Sequence, residues 1–207
     1  MVELADINRP VILASCSPRR REILTLMGIS FESMDPGVSD ESSYIDPNDL
    51  DNSLRRLAIA KAESIAKREP NALVLGADTV VVKSARIMGK PSGRDEAAQM
   101  LSLLSGSQHT VITAVALMCA ETNFCESSVS HTAVSFRNLS EAEINAYLSL
   151  PEYKDKAGSY AIQGRAMTFV DRIEGCYYNV VGLPVTATLS LLKQFVRKES
   201  IEDVGQK

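Results

Sequence analysis

A short basic run near the start of the chain has the residue types that bind phosphate. Ser15-Cys16-Ser17-Pro18-Arg19-Arg20-Arg21 follows an apolar stretch and opens a segment with helical character. Serine hydroxyls and guanidinium groups donate hydrogen bonds to anionic oxygens, and one guanidinium can bind a phosphate through two N–H groups. The run therefore agrees with a phosphate-chain site formed by Ser15, Ser17, Arg19 and Arg20. A solvated basic turn is the alternative, and the run by itself agrees with both interpretations.

A second feature is an acid among apolar residues, in Gly76-Ala77-Asp78-Thr79. The segments 72–76 and 79–82 are both typical of buried strands, which places Asp78 at or near a strand end. A buried carboxylate is costly unless it binds a cation or accepts hydrogen bonds. Asp78 is therefore predicted to be a metal ligand or a general base rather than a surface acid, and both of these roles stay open.

Two weaker features place lysines in turns. Gly89-Lys90-Pro91 presents one ammonium group between turn-forming residues, without the spacing of a Walker A loop. The segment 154–164 contains Lys156 and Gln163 among glycines that let a ligand approach the backbone closely. Taken alone, each segment is more typical of a solvated turn or an ordinary loop than of a binding site.

The elements around these residues alternate between strand and helix signals, which predicts an α/β protein. Ser17 and Pro18 are a typical helix start, and Met27-Gly28 is a typical end. The arginines then lie in a first helical turn, where the helix dipole disfavours each cation by about 0.3–1 kcal/mol. An anion is therefore expected to compensate their charge.

The remaining elements follow from periodicity and capping signals. The predicted helices cover 50–67, 95–104, a segment opened by a Ser140/Glu143 capping box, and 184–198. The predicted strands cover 11–15, 30–34, 72–76, 79–82, 110–120, 127–136, 169–173 and 177–181. The acidic stretch 35–51 is predicted to be a loop, and 199–207 a flexible tail.

Composition excludes several classes of protein. The 207 residues are 45% hydrophobic with a net charge of −4, so the chain can bury a large core and lacks the polybasic arm of a general nucleic-acid binder. No apolar run approaches the roughly 18 residues of a membrane span, and the acidic start is unlike a signal peptide. We therefore expect a cytoplasmic protein without nucleic-acid or membrane partners. The four cysteines lack metal-ligand spacing and are predicted to be free thiols.

Taken together, these segments resemble the Maf family of nucleoside triphosphate pyrophosphatases from about Val11 to Phe195. The run from Ser15 to Arg20 matches the family's Ser-x-Ser-Pro-Arg-Arg opening. Further matches follow in the family's order and at similar spacing: Gly76-Ala77-Asp78-Thr79, Gly89-Lys90-Pro91, Leu104-Ser105-Gly106, Asp155-Lys156-Ala157-Gly158, Tyr160 with Ile162-Gln163-Gly164, and Val181-Gly182-Leu183-Pro184. The chain departs from the family pattern at Tyr153, commonly Pro, and at Ala161, commonly Gly.

The resemblance implies a fold and a reaction. The fold is a Maf/ITPase-like elongated mixed sheet flanked by helices, with two lobes around a central cleft, in one catalytic domain over residues 1–207 with its core at 11–195. The reaction is hydrolysis of a nucleoside triphosphate to the monophosphate and pyrophosphate with Mg²⁺ or Mn²⁺. Members of the family are often dimers, so a homodimer is expected. The Ile162-Gln163-Gly164 form resembles the branch that acts on dTTP and UTP, where Arg19, Thr79 and Gln163 match positions linked to selectivity.

The resemblance also implies roles for the candidate residues. Asp78 is the central acid, as base, metal ligand or both, and Glu41 is the second metal ligand, with Asp40 as its substitute. The candidates that bind the phosphate chain are Ser15, Ser17, Arg19, Arg20, Lys61, Lys90 and Lys156. The alternative function is a non-catalytic nucleotide-binding regulator of cell division, the role from which the family takes its name.

Overall fold

A computed structural model describes the backbone of residues 7–205 and the side chains of residues 7–201. The strands are β1 Val11–Ala14, β2 Glu32–Met34, β3 Leu73–Lys83, β4 Arg86–Met88, β5 Gln108–Cys119, β6 Phe124–Phe136 and β7 Val170–Glu174. They form a seven-stranded sheet with the order β2-β1-β3-β5-β6-β7, in which β4 pairs with β3. Strand β1 pairs in parallel with β2 and β3, whereas the β3–β4 and β6–β7 pairs are antiparallel. The predicted mixed sheet is therefore confirmed.

Helices flank this sheet, as predicted. The α-helices are α1 Pro18–Leu26, α2 Leu50–Ala66, α3 Arg94–Leu104, α4 Glu141–Tyr147, α5 Tyr177–Val181 and α6 Val185–Gly205. Short 3₁₀ helices cover Glu41–Tyr44, Pro151–Tyr153, Ala157–Ser159 and Arg165–Phe169.

The chain forms two compact units. The first contains the residues up to Asp78, Ala114–Val129 and the residues from Gly182 onwards, and the second contains Thr79–Thr113 and Ser130–Val181. This division agrees with the expected two lobes. The cleft between them stays a prediction.

Two expectations from composition can be compared with the structure. All four cysteines are free thiols, as predicted, with Cys119 buried, Cys176 partly buried, and Cys16 and Cys125 exposed. Within residues 7–205, no helix combines the length and the apolar character that crossing a membrane requires.

Strand β3 is longer than predicted. It runs without interruption from Leu73 to Lys83, although the sequence indicates two strands. Glycine, alanine and aspartate are poor strand formers, so residues 76–78 resemble a break. Pairing with β1 at one end and with β4 at the other holds both halves in one strand. Asp78 therefore lies inside a strand, and its predicted position at a strand end is wrong.

The segment Tyr177–Val181 was predicted to be a strand and is the short helix α5. Aromatic and β-branched residues are typical of strands. Here the backbone amides of Asn179 and Val180 donate to the Cys176 carbonyl instead, at 3.1 and 3.4 Å. The buried side chain of Asn179 also donates to neighbouring strands, so tertiary hydrogen bonds override the local preference.

The predicted helix starts agree with the structure, and the predicted ends of α1, α2 and α3 lie within two residues of the observed ends. Helix α1 begins at Pro18, and α4 follows the complete capping box of Ser140 and Glu143. Helix α6 continues to Gly205, so most of the segment predicted to be a tail is helical. Residues 206 and 207 of that segment lie outside the described residues.

Helix α2 packs very closely on strand β3 in the first unit. A Cβ added at Gly76 would overlap the carbonyl oxygen of Ala58 and lie 2.9 Å from the backbone nitrogen of Ala62. Both obstacles are helix backbone, which cannot move without shifting α2. The absence of a side chain at Gly76 thus sets the distance between α2 and the part of β3 that carries Asp78.

We expect Gly76→Ala to lower the free energy of unfolding by about 3 kcal/mol, the upper part of the usual range for overpacking. Urea unfolding measures the change. Gly89→Ala is a matched control, because an added Cβ there meets nothing within 4 Å. A Gly76→Ala protein as stable as the control would contradict the close packing.

His109 is buried in the second unit, where its Nε2 lies 2.9 Å from the hydroxyl of Tyr160. Its ring packs edge-on against Phe136 and Tyr160. Burial lowers the pKa of His109 from 6.5 to about 4, because the charged imidazolium would lose its solvation there.

The lowered pKa of His109 predicts a loss of stability in mild acid. Between pH 6.5 and 4 the unfolded chain binds a proton at this residue that the folded chain does not, so the free energy of unfolding decreases as the pH falls. We expect this group to remove about 2 kcal/mol between about pH 7 and pH 5. His109→Gln keeps a polar partner for Tyr160 but does not titrate. Urea unfolding at both pH values should show a smaller change in the free energy of unfolding for the variant than for the unmodified protein. An equal change in both proteins would contradict the assignment of the pH dependence to His109.

Candidate active site

The first unit brings two predicted acids into contact with one buried lysine. The ammonium nitrogen of Lys61 lies 2.6 Å from Oε1 of Glu41 and 2.7 Å from Oδ1 of Asp78. The side chains of Lys61 and Asp78 are 6% and 13% exposed, whereas that of Glu41 is 44% exposed. A lysine this buried requires negative partners. The two carboxylates supply them, and we call these three residues the acid–lysine cluster.

Separate elements supply the acid–lysine cluster. Lys61 comes from α2, Asp78 from within β3, and Glu41 from the first residue of the 3₁₀ helix Glu41–Tyr44. Lys61 lies one helical turn after Leu57 and one turn before Ile65, on the apolar face of α2. A lysine at core spacing is a sequence signal for a buried, paired cation. Lys61 was predicted only to bind phosphate, and its pairing with the two acids was not predicted.

Asp40, the substitute candidate for Glu41, has a local structural role. Its Oδ1 accepts hydrogen bonds from the hydroxyl of Ser42 and the backbone amide of Ser43, at 2.7 and 3.3 Å. Asp40 thereby caps the 3₁₀ helix, and Glu41 is the acid that contacts Lys61.

The basic turn at the start of α1 is organised around Ser15. Its Oγ accepts hydrogen bonds from Nη1 of Arg20 and from the amide of Ser17, both at 3.2 Å. Arg20 Nε also donates to the Gly182 carbonyl at 2.9 Å. Because both lone pairs of Ser15 Oγ accept hydrogen bonds, the hydroxyl can act toward a ligand only as a donor. Phosphate oxygens are acceptors and require such a donor.

The acid–lysine cluster lies close enough to the basic turn to affect its charge. Burial lowers the pKa of the Arg20 guanidinium, and the nearby charges of Asp78 and Glu41 oppose that shift. The first turn of α1 contains no acid, and Ser17 makes no side-chain capping bond. Arg19 is half-buried on the same turn. The structure brings two acids near Arg20 from distant parts of the chain.

The second unit brings the turns of Lys90 and Lys156 together. The Gly158 amide donates to the Gly89 carbonyl at 3.1 Å. A Cβ at Gly158 would lie 2.9 Å from the Val81 side chain, and its φ of +68° favours glycine. Lys90 is exposed, and Lys156 is half-buried.

Thr79 belongs to a polar chain that no sequence signal reveals. Its Oγ1 lies 2.9 Å from Oγ1 of Thr113, which donates to the Asn179 carbonyl at 3.2 Å. Because Thr113 uses its only hydroxyl proton on that carbonyl, Thr79 must donate to Thr113. Any other hydrogen bond of the Thr79 hydroxyl is therefore one in which its oxygen accepts.

Gln163 is exposed on a turn that is closed by a 2.9 Å bond from the Gly164 amide to the Ala161 carbonyl. Ala161, one of the two departures from the family pattern, therefore takes part in this turn.

The acid–lysine cluster has suitable oxygens for a divalent cation. Carboxylates are preferred ligands of Mg²⁺ and Mn²⁺, and Mg²⁺ is typically held by one or two of them together with substrate phosphates and water. Glu41 and Asp78 contact the same Lys61 nitrogen, so the cluster brings two carboxylates to one place. Among the residues that the structure describes, no group of three or more His, Cys, Asp or Glu could hold a metal ion. Two carboxylates are a suitable protein contribution for an ion of this kind.

Comparisons with known proteins agree with the resemblance. The family model described as Maf-like protein matches residues 10–195. A Bacillus anthracis protein named dTTP/UTP pyrophosphatase is 45% identical over 188 residues, which are 90% of this chain and 96% of that protein. A protein of the same name from Pelotomaculum thermopropionicum is 44% identical over 90% of this chain and 97% of its own length. The structure of the Staphylococcus aureus Ham1 protein has a TM-score of 0.45 at 10% identity, covering 92% of this chain and 100% of that chain.

Proposed function

Because this chain belongs to the Maf family, we propose that it hydrolyses nucleoside triphosphates to the monophosphate and pyrophosphate, with dTTP and UTP preferred. The observation that carries the proposal is 45% identity over 90% of the chain to a protein named dTTP/UTP pyrophosphatase. The acid–lysine cluster beside Arg20 supports it, because phosphoryl transfer needs a positioned nucleophile and neutralised phosphate charge. The proposal includes one catalytic domain over the whole chain.

In the proposed reaction, a water oxygen bonds to the α-phosphorus as the bond to the pyrophosphate oxygen breaks. Lys61 fixes the orientation of the Asp78 carboxylate through its contact with Oδ1. Asp78 then receives the proton of the attacking water, binds the metal ion, or does both. The residues that bind the phosphate chain are Ser15, Ser17, Arg19 and Arg20, and Lys61, Lys90 and Lys156 add positive charge.

Glu41 and Asp78 are the proposed ligands of Mg²⁺ or Mn²⁺. When bound, such an ion neutralises charge on the phosphate oxygens. Lys61, between the two acids, keeps their carboxylates together and opposes their mutual repulsion.

Base selection is assigned to Arg19, Thr79 and Gln163. The Gln163 amide offers one acceptor and one donor group, which match the N3–H and O4 of uracil or thymine. Thr79 is included because it matches a position that is linked to selectivity in the dTTP/UTP branch of the family. A site built for one hydrogen-bonding edge leaves polar groups unpaired when another base enters, and this makes discrimination steep.

The test is a panel of dTTP, UTP, CTP, GTP and 7-methyl-GTP with Mg²⁺ or Mn²⁺, in which pyrophosphate and orthophosphate are assayed separately. We expect pyrophosphate as the product and the highest kcat/KM for dTTP and UTP. Tight binding without turnover would instead indicate the non-catalytic regulator. Orthophosphate as the direct product would indicate attack at the γ-phosphorus, and a lead for 7-methyl-GTP would overturn the dTTP/UTP assignment. A cytoplasmic location and a homodimeric state stay predictions.

A further inference from the structure

The turn that carries Gln163 is held by hydrogen bonds from outside it. On one side, the amide of Ala161 donates to the hydroxyl of the buried Tyr147 at 3.1 Å. On the other side, the amide of Arg165 donates to Oε2 of Glu152 at 2.8 Å. Gln163 therefore lies between two anchored backbone positions, while its own side chain is exposed.

The contact with Glu152 depends on the absence of a side chain at Gly164. A Cβ there would overlap Oε2 of Glu152 and lie 2.9 Å from its Cδ. Arg165 is the first residue of the 3₁₀ helix Arg165–Phe169, and helix-starting amides lack partners within their own helix. The Glu152 carboxylate thus caps this helix from a distant position in the chain, with a charge-assisted hydrogen bond.

We propose that Glu152 is a positioning residue for base selection, because its carboxylate fixes the backbone immediately after Gln163. This inference rests on the proposed role of Gln163 in reading the base. An amide presents a donor on one side and an acceptor on the other. If the turn loosens, the Gln163 amide can rotate and pair with cytosine, whose N4–H donor and N3 acceptor are the reverse of the uracil edge.

The proposal predicts a specific kinetic pattern. The Glu152 contact is with the amide of Arg165 and involves neither Asp78 nor Lys61, so its loss should leave the chemical step largely intact. We expect Glu152→Ala to lower the ratio of kcat/KM for UTP over CTP by about tenfold. The change should appear as a higher KM for UTP and better use of CTP, with kcat for UTP within about twofold of the original.

Three further variants isolate the carboxylate contact. Gly164→Ala displaces the same carboxylate by overlap and should reproduce the effect. Glu152→Gln keeps an acceptor oxygen for Arg165 and should restore most of the discrimination. Glu141→Ala removes an exposed acid from the first turn of α4 and is the matched control, with an expected ratio like that of the unmodified protein.

A double-mutant cycle tests whether Glu152 acts through Gln163. If it does, adding Glu152→Ala to Gln163→Ala will leave the UTP/CTP ratio where Gln163→Ala alone put it. This inference would be overturned if the UTP/CTP ratio of kcat/KM were unchanged in Glu152→Ala and Gly164→Ala but lowered in Gln163→Ala. That result would leave the proposed function standing. An unchanged ratio in Gln163→Ala would remove the proposed reader of the base and this inference with it. If Glu152→Ala does not fold, Gly164→Ala and Glu152→Gln decide the same question.

Discussion

Replacing Asp78 with Asn should lower the turnover of the preferred nucleotide by about 100-fold or more while the protein stays folded. Asparagine keeps the size of the side chain but removes its charge. An amide cannot accept the proton of an attacking water as a carboxylate does, and it is a poorer ligand for Mg²⁺. The 2.7 Å contact with Lys61 and the position within β3 fix where this group acts.

The matched control for Asp78→Asn is Asp171→Asn, which makes the same change at an exposed position of β7. The control should retain normal turnover. A titration with Mn²⁺ then separates the two roles of Asp78, because loss of a ligand raises the metal concentration required, whereas loss of a base lowers turnover at saturating metal. Near-normal turnover of folded Asp78→Asn would contradict both roles.

Lys61→Met should lower turnover on the order of 100-fold and should also destabilise the protein. The substitution leaves Asp78 and Glu41 near each other without their shared cation. Removing one partner of a fully buried ion pair costs about 3–5 kcal/mol. Glu41 is 44% exposed and screened by solvent, so we expect a smaller loss of about 1–3 kcal/mol in the free energy of unfolding.

Two further variants, one at Lys61 itself and one at a lysine at the end of α2, serve as controls for Lys61→Met. Lys61→Arg retains a cation and should recover most of the stability, although the larger guanidinium group changes the position of the carboxylates. Lys67→Met affects a lysine that is 70% exposed and paired with Glu63, and it should change stability by less than about 0.5 kcal/mol. If Lys61→Met matched Lys67→Met in stability and turnover, the acid–lysine cluster would contribute neither to catalysis nor to the stability of the fold.

Local signals in the sequence predict the elements that carry the candidate residues. Pro18 after Ser17 starts α1, and the capping box of Ser140 and Glu143 starts α4. The apolar spacing along residues 50–67 predicts α2 and its buried face. These signals depend on residues within a few positions of one another, so they can be recognised without knowledge of the rest of the fold.

The motifs also identify most of the residues that the structure places in the acid–lysine cluster and the basic turn. Ser15, Arg20 and Asp78 are recognisable because their residue types are unusual beside apolar segments. Their partners are not recognisable in the same way. The Gly182 carbonyl that holds Arg20 is backbone, and backbone groups have no sequence signature.

The tertiary structure alone decides which charges meet. Lys61, Glu41 and Asp78 come from a helix, a 3₁₀ helix and a strand, and they meet because Gly76 lets α2 approach β3 closely. The same dependence explains why Asp78 lies inside a strand: pairing with β1 and β4 outweighs the poor strand propensity of the residues around it. Residue types and their local periodicity determined most of the elements and the available chemistry of this protein. The contacts between distant segments, which form only when the core packs, decided the arrangement of its charged groups.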